Sequence, residues 1–312
     1  MMLKKIIAVL LCALLLCACS AEQPTGEGVE TVTFTDALGR EVTVQKEPQR
    51  VAALIGSFAD VWLLAGGSLC AAADDAWSDF GLELPADTLN IGATKSPSLE
   101  ILLSATPQLV IASASTAKNL EWRELLEDAG ITVAYFDVAC FEDYLAMLDV
   151  CTDITGRKDL YEQNGAALKD RIDEVKGELA AEGKHPTVLF LRASASFVRA
   201  KNSEGSILGE MLAELGCVNI ADSDAALLEK LSIESIIKQD PEHIFIVQVG
   251  DDSEAANRAL SKMMDENPAW RELTAVKRGK IHYMDKRLFN FKPNARWAEA
   301  YERLAEILRE TE

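Results

Sequence analysis

SLEILLSATPQLVI, residues 98–111, reads as a short helix, a break at Pro107 and a buried strand. A looser copy, SIESIIKQDPEHIF, occupies residues 232–245. The two share Ser, Glu and Pro at matching offsets, and apolar residues fill most of the other matched positions. Each therefore carries a glutamate, Glu100 or Glu234, at the same place in the same helix–strand unit. One unit used twice suggests two lobes of one α/β kind.

The flanking sequence extends this reading. Residues 31–45, TVTFTDALGREVTVQ, alternate apolar and polar on both sides of a Gly-containing turn, the pattern of a β-hairpin. RVAALIG, PQLVIAS and ITVAYFDV are continuous apolar runs, as in parallel strands buried on both faces. Helical stretches such as FADVWLLAGG and NLEWRELLEDAG separate them, and the first lobe closes near Gly156. Residues 158–184, KDLYEQNGAALKDRIDEVKGELAAEGK, contain no proline and repeat apolar residues at helical spacing through Leu160, Leu168, Ile172, Val175 and Leu179. About 25 helical residues span nearly 40 Å, longer than a lobe helix needs, so this segment is expected to be a rigid connector. Strand and helix alternation then restarts with PTVLFLRAS and runs to the closing helix PNARWAEAYERLAEILRE. In that helix Trp297, Tyr301, Leu304 and Leu308 form one stripe directed at the core.

The fold class is thus two doubly wound α/β lobes joined by one long helix. The expected divisions are an export signal over 1–18, a tether over 19–30, lobes over 31–156 and 184–312, and the connector over 157–183. A second similarity, ELLEDAGITVA against EMLAELGCVNIA, falls in a different order relative to the main repeat, so generic α/β patterning contributes to such likenesses.

The 312 residues carry 31 Lys+Arg against 50 Asp+Glu, a net charge of −19, which excludes a broad nucleic-acid face. MMLKK and the apolar run Ile6–Leu16 have the form of an export signal, too short to span a bilayer. The run ends in LCAC, which resembles a bacterial lipobox with Ala18 before a lipidated Cys19; cleavage near Ala21 is the alternative. Two acyl chains on Cys19 would anchor the protein stably. Of Cys70, Cys140, Cys151 and Cys217, no pair forms a C-x-x-C; buried free thiols are expected, with a Cys140–Cys151 bridge as the alternative.

The sequence contains no G-x-S-x-G, H-E-x-x-H, G-K-[ST] loop or G-x-G-x-x-G, and its three histidines are dispersed without metal-ligand spacing. An enzyme is not expected. Ligands of open α/β sheets bind beyond the carboxyl ends of the strands. Those ends offer Arg192, Phe197, Arg199 and Lys201 in one place, and Lys286, Arg287, Phe289, Phe291, Lys292 and Arg296 in another. The first lobe offers Ser57, Phe58, Trp77, Ser113 and Ser115. Clustered cations with aromatics in an acidic chain suit an anionic ligand.

TDALGREVTV leading into PQRVAAL, then NIGATKSPSLEILLSATPQLVI, and finally KPNARWAEAYERLAEIL resemble the iron-complex and cobalamin class of ABC-transporter substrate-binding proteins, over essentially the whole chain after the signal. The resemblance implies ligand capture in a cleft between the lobes and no cofactor of the protein's own. It also implies delivery to a membrane permease, with Glu100 and Glu234 docking onto permease arginines. The cations favour an anionic ferric siderophore. Cobalamin, held by residues such as Trp77 and Phe289, and haem, with Tyr283 or Met284 as axial candidates, are the alternatives. A monomer on the outer face of the cell membrane, with no nucleic-acid partner, is expected. An exported enzyme and a ligand sensor are the rival functions.

Overall fold

The computed structural model describes residues 30–250 and 252–310. The export signal, Cys19 and the tether up to residue 29 lie outside the described residues. The chain opens with an antiparallel hairpin of β1 (Thr31–Thr35) and β2 (Glu41–Gln45). The first sheet has the order β5-β4-β3-β6-β7 and is wholly parallel. Its strands are β3 (Val51–Ala53), β4 (Ala71–Ala72), β5 (Leu89–Asn90), β6 (Leu109–Ser113) and β7 (Thr132–Phe136). The second has the order β10-β8-β11-β12, also parallel, from β8 (Thr187–Ala193), β10 (Val218–Asn219), β11 (His243–Gln248) and β12 (Ile281–Met284). β9 (Val198–Lys201) folds back antiparallel on the end of β8.

The repeated unit occupies equivalent places. The helix Leu99–Ser104 feeds β6, which lies between β3 and β7; the helix Ile233–Gln239 feeds β11, between β8 and β12. Ser98 Oγ accepts from Ile101 N at 3.3 Å, and Ser232 Oγ from Ser235 N at 3.4 Å, so each serine caps its helix. Each unit then breaks at a left-handed residue before its proline, Thr106 (φ 45°) or Asp240 (φ 41°). Asp240 offsets that strain by accepting from Thr274 N at 2.8 Å and Thr274 Oγ1 at 2.6 Å. The second similarity dissolves here. ELLEDAGITVA leads into β7 at one edge of its sheet and EMLAELGCVNIA into β10 at the opposite edge of the other, so those units are not counterparts.

Between the sheets the chain is helical over Lys158–Tyr161, makes one wide π-type turn at Glu162–Ala166, and continues as Ala167–Glu182 to a left-handed Gly183. The sequence pattern predicts no interruption. Its cause is close packing: a Cβ on Gly165 would stand 2.9 Å from Leu145 Cδ2 and 3.1 Å from Leu148 Cδ2. Asn164 Nδ2 also donates to Leu64 O at 2.9 Å, tying the turn to the first lobe. Leu168, Ile172, Val175 and Leu179 are buried and pack with the closing helix Trp297–Arg309. One apolar core runs through this junction. It takes Val51 and Ile111 from the first sheet, Phe190 and Phe245 from the second, and Trp297, Tyr301 and Leu304 from the closing helix. Residues on the opposite sheet faces, Val110 and Tyr135 or Leu189 and Ile246, belong to separate cores.

Cys70, Cys140, Cys151 and Cys217 are all free thiols. Cys140 and Cys151 do not bridge because one caps and the other lies within the helix Phe141–Thr155, a rise of about 16 Å apart. The histidines are less dispersed than their spacing indicates. The β11–β12 register sets Phe245 against His282, and His243 Nδ1 lies 3.0 Å from His282 Nε2. Burial, then the His282 and Lys280 charges, lowers His243 to about 4; burial also lowers His282, against the pull of Glu310. Both groups favour the neutral form in the fold, so their contribution is present above about pH 6.5 and is lost as pH falls towards 4. Urea melts at pH 7.5 and 4.5 should show this loss, reaching about 3 kcal/mol for His243, and His243→Gln should flatten the pH dependence.

Candidate functional site

The carboxyl ends of both parallel sheets meet across a cleft. Ser115 and Asp137, just past β6 and β7, share a cavity of about 290 Å³ with Arg192, Ile207, Asn290 and Lys292 from the second lobe. Gly56 makes the first wall compact: a Cβ there would stand 2.7 Å from Ala76 N, and Gly56 N donates to Asp75 Oδ1 at 2.9 Å. Beside the cavity the walls touch. Lys286 Nζ meets Asp79 Oδ1 at 3.0 Å, the Arg287 guanidinium lies 4.2 Å from the Phe80 ring centroid, and the Phe80 and Phe291 centroids are 5.6 Å apart. Asn294, buried and at φ 54°, donates to Ser57 O at 2.9 Å and Asp60 Oδ2 at 2.8 Å.

The cations of the second wall are short of partners. Arg192 Nη2 donates to Asn290 Oδ1 at 2.9 Å, while its Nε, like Arg287 Nη1, is buried without an acceptor among the described residues. Burial pulls the Arg192 guanidinium below its ordinary value. Burial also pulls Lys292 down, opposed by the charge of Asp137. Among the described residues neither Arg192 nor Lys292 makes an ion pair. The hairpin register sets Arg192 opposite Arg199 and Phe190 opposite Lys201, so three cations share one face. Like charges in direct opposition are destabilising, and the Arg199 guanidinium rests on the Phe197 ring, 5.1 Å from its centroid. Partly buried cations held this way are costly unless an anion joins them.

Other expected site residues stand elsewhere. Phe58 is fully buried, edge-on to Phe136, because the helix Gly56–Leu64 turns it into the core. Ser57 is buried and offers its carbonyl to Asn294, not its hydroxyl to the cleft. Trp77 packs half-buried against the core, and Phe289 is buried although it backs the cavity. Arg296 faces away: its Nε and Nη2 hold Glu299 at 2.7 and 2.8 Å, beside a separate pocket that includes Tyr283 and Met284. Tyr283 and Met284 therefore supply no axial ligand to the cleft cavity. Asp79, Phe80, Asp137, Asn290 and Asn294 escaped the sequence reading, although Asp137 directly follows a strand and the same strand-end rule points to it.

Glu100 and Glu234 are exposed and, among the described residues, make no ion pair. Each helix runs back along its sheet before the parallel strand it feeds, so both carboxylates sit at the cleft end of their lobes.

Residues 51–288 match the family described as periplasmic binding protein. The chain belongs to this family. The Fe(3+)-citrate-binding protein YfmC of Bacillus subtilis (strain 168) is 28% identical over 297 residues, 90% of each chain. The crystal structure of Staphylococcus aureus SirA complexed with staphyloferrin B is similar over 89% of this chain and 98% of that one, with a TM-score of 0.68 at 20% identity. The periplasmic vitamin B12 binding protein BtuF of Vibrio cholerae is similar over 84% and 97%, with a TM-score of 0.67 at 17% identity. Family and fold are those of transport binding proteins, not of enzymes. No helix among the described residues of this periplasmic binding protein is long and apolar enough to cross a membrane.

Proposed function

We propose that this periplasmic binding protein captures a polyanionic ferric complex of the citrate or carboxylate-siderophore kind and delivers it to the permease of an ABC importer. The observation that carries the reading is the pair Arg192 and Lys292, partly buried at one cavity and, among the described residues, without a carboxylate in ion-pair range. Carboxylate oxygens of a ferric complex would complete their hydrogen bonds. The name of YfmC supports the same chemistry. Cobalamin has little use for unpaired cations, and haem finds no axial side chain among Tyr283 and Met284, which line a different pocket. The test is a parallel tryptophan-fluorescence titration with ferric citrate, a neutral ferric trihydroxamate, haem and cobalamin. Saturation by ferric citrate below about 10 μM with weaker or no response to the last two supports the reading; the reverse order overturns it.

Delivery rests on Cys19 as a lipid anchor, residues 20–30 as tether, and Glu100 and Glu234 as two docking carboxylates at the cleft ends of the lobes. Paired exposed charges of this kind set register and encounter rate. Glu100→Ala with Glu234→Ala should leave ferric citrate affinity within about twofold while uptake by cells falls at least roughly tenfold. Affinity that collapses with uptake would make these carboxylates structural instead.

A further inference from the structure

The two cleft walls carry opposite charge. In the cavity the first lobe contributes Ser115 and Asp137 but no cation; the second contributes Arg192 and Lys292 but no carboxylate. The pattern continues outside it. Asp79 Oδ1 lies 3.0 Å from Lys286 Nζ, across the lobes, with both side chains partly exposed. Asp60, held by Asn294 Nδ2 at 2.8 Å, acts electrostatically on Arg287. The three acids come from chain segments after β3, β4 and β7, whereas Lys286, Arg287 and Lys292 lie in one seven-residue stretch after β12. Local sequence pairing does not explain this correspondence.

Building on the anionic-ligand reading, we infer that Asp137 and Asp79 are specificity-determining counter-charges, which stand in for the ligand's anionic groups in the empty cleft and must be outcompeted by it. Asp137 is exposed on the wall facing Lys292 and is not engaged in an ion pair among the described residues. It lends Lys292 a compensating field, then repels any anion that comes to Lys292. A complex with several carboxylates gains contacts at Arg192, Lys292 and Lys286 together and overcomes that repulsion. A complex with little negative charge gains too few. The acidic wall thus raises the charge a cargo must carry, and does so through residues that make no favourable contact with it.

The test uses Asp137→Asn, Asp79→Asn and the double variant of the full chain, titrated with ferric citrate and with a neutral ferric trihydroxamate. Both asparagines preserve shape, at the exposed Asp137 and at the partly exposed Asp79, and thermal melts confirm folding. Ferric citrate should bind about 3- to 10-fold tighter to Asp137→Asn and tighter still to the double variant, with the gain shrinking in high salt. The neutral probe should not change. Ferric citrate affinity that is unchanged or weaker in Asp137→Asn, or an equal shift for both probes, overturns the inference; the anionic-ligand reading survives that result if Arg192 and Lys292 variants still lose ferric citrate. If neither wild type nor any variant binds ferric citrate, both fall.

Discussion

Replacing Arg192 and Lys292 together by methionine is expected to weaken ferric citrate binding by about 1,000-fold or more. Each truncation of a desolvated charge–carboxylate contact costs about 2–5 kcal/mol, so either single variant should lose at least roughly 30-fold. Methionine keeps an unbranched apolar stem and removes only the charged end. Isothermal calorimetry measures the loss directly. The same double variant should melt at the wild-type temperature or above it, because it removes two partly buried cations that make no ion pair among the described residues. Binding lost with stability kept marks residues maintained for cargo. A variant that binds normally would return the cleft to the neutral-ligand readings.

Trp297→Ala is expected to be the most damaging single core change, at about 3–5 kcal/mol. The ring is fully buried and lies 5.9 Å, edge-on, from Phe141, at the junction where the closing helix meets the first lobe. For a domain of this size the loss should lower the melting temperature by about 10 °C. Scanning calorimetry should still show one transition, since the core at Trp297 also contains Val51 and Phe245 from the two sheets. Trp297→Phe should cost much less, because the indole Nε1 is buried without a partner and its removal leaves nothing unsatisfied.

The architecture was legible because its signals are local. Ser at the start, Glu in the first turn and Pro after the stop mark the two helix–strand units without reference to any other part of the chain. The connector was legible in length but not in detail, since its wide turn depends on how closely Leu145 and Leu148 approach Gly165. In the cleft the strand-end rule points to the loops that line the cavity and goes no further. Whether Ser57 and Phe58 face ligand or core depends on how the helix Gly56–Leu64 is rotated against Phe136. Arg296 had a visible competitor one turn on, Glu299, which takes it out of the cleft. Asp137 directly follows β7, but an anionic ligand points to cations, aromatics and hydroxyls and not to a carboxylate. The contact of His243 with His282 is a matter of strand register, which spacing along the chain does not reveal.

The shared core has a consequence for traffic. The two lobes and the connector bury their apolar faces in one body, so on the proposed docking the spacing of Glu100 and Glu234 should change little when cargo arrives. A transporter that grips those two points would then meet the same outline on empty and loaded copies. Empty copies then queue for the same berth, and uptake should slow when receptors greatly outnumber the complexes they carry. The number of receptors per transporter thus becomes as much a part of the transport rate as affinity.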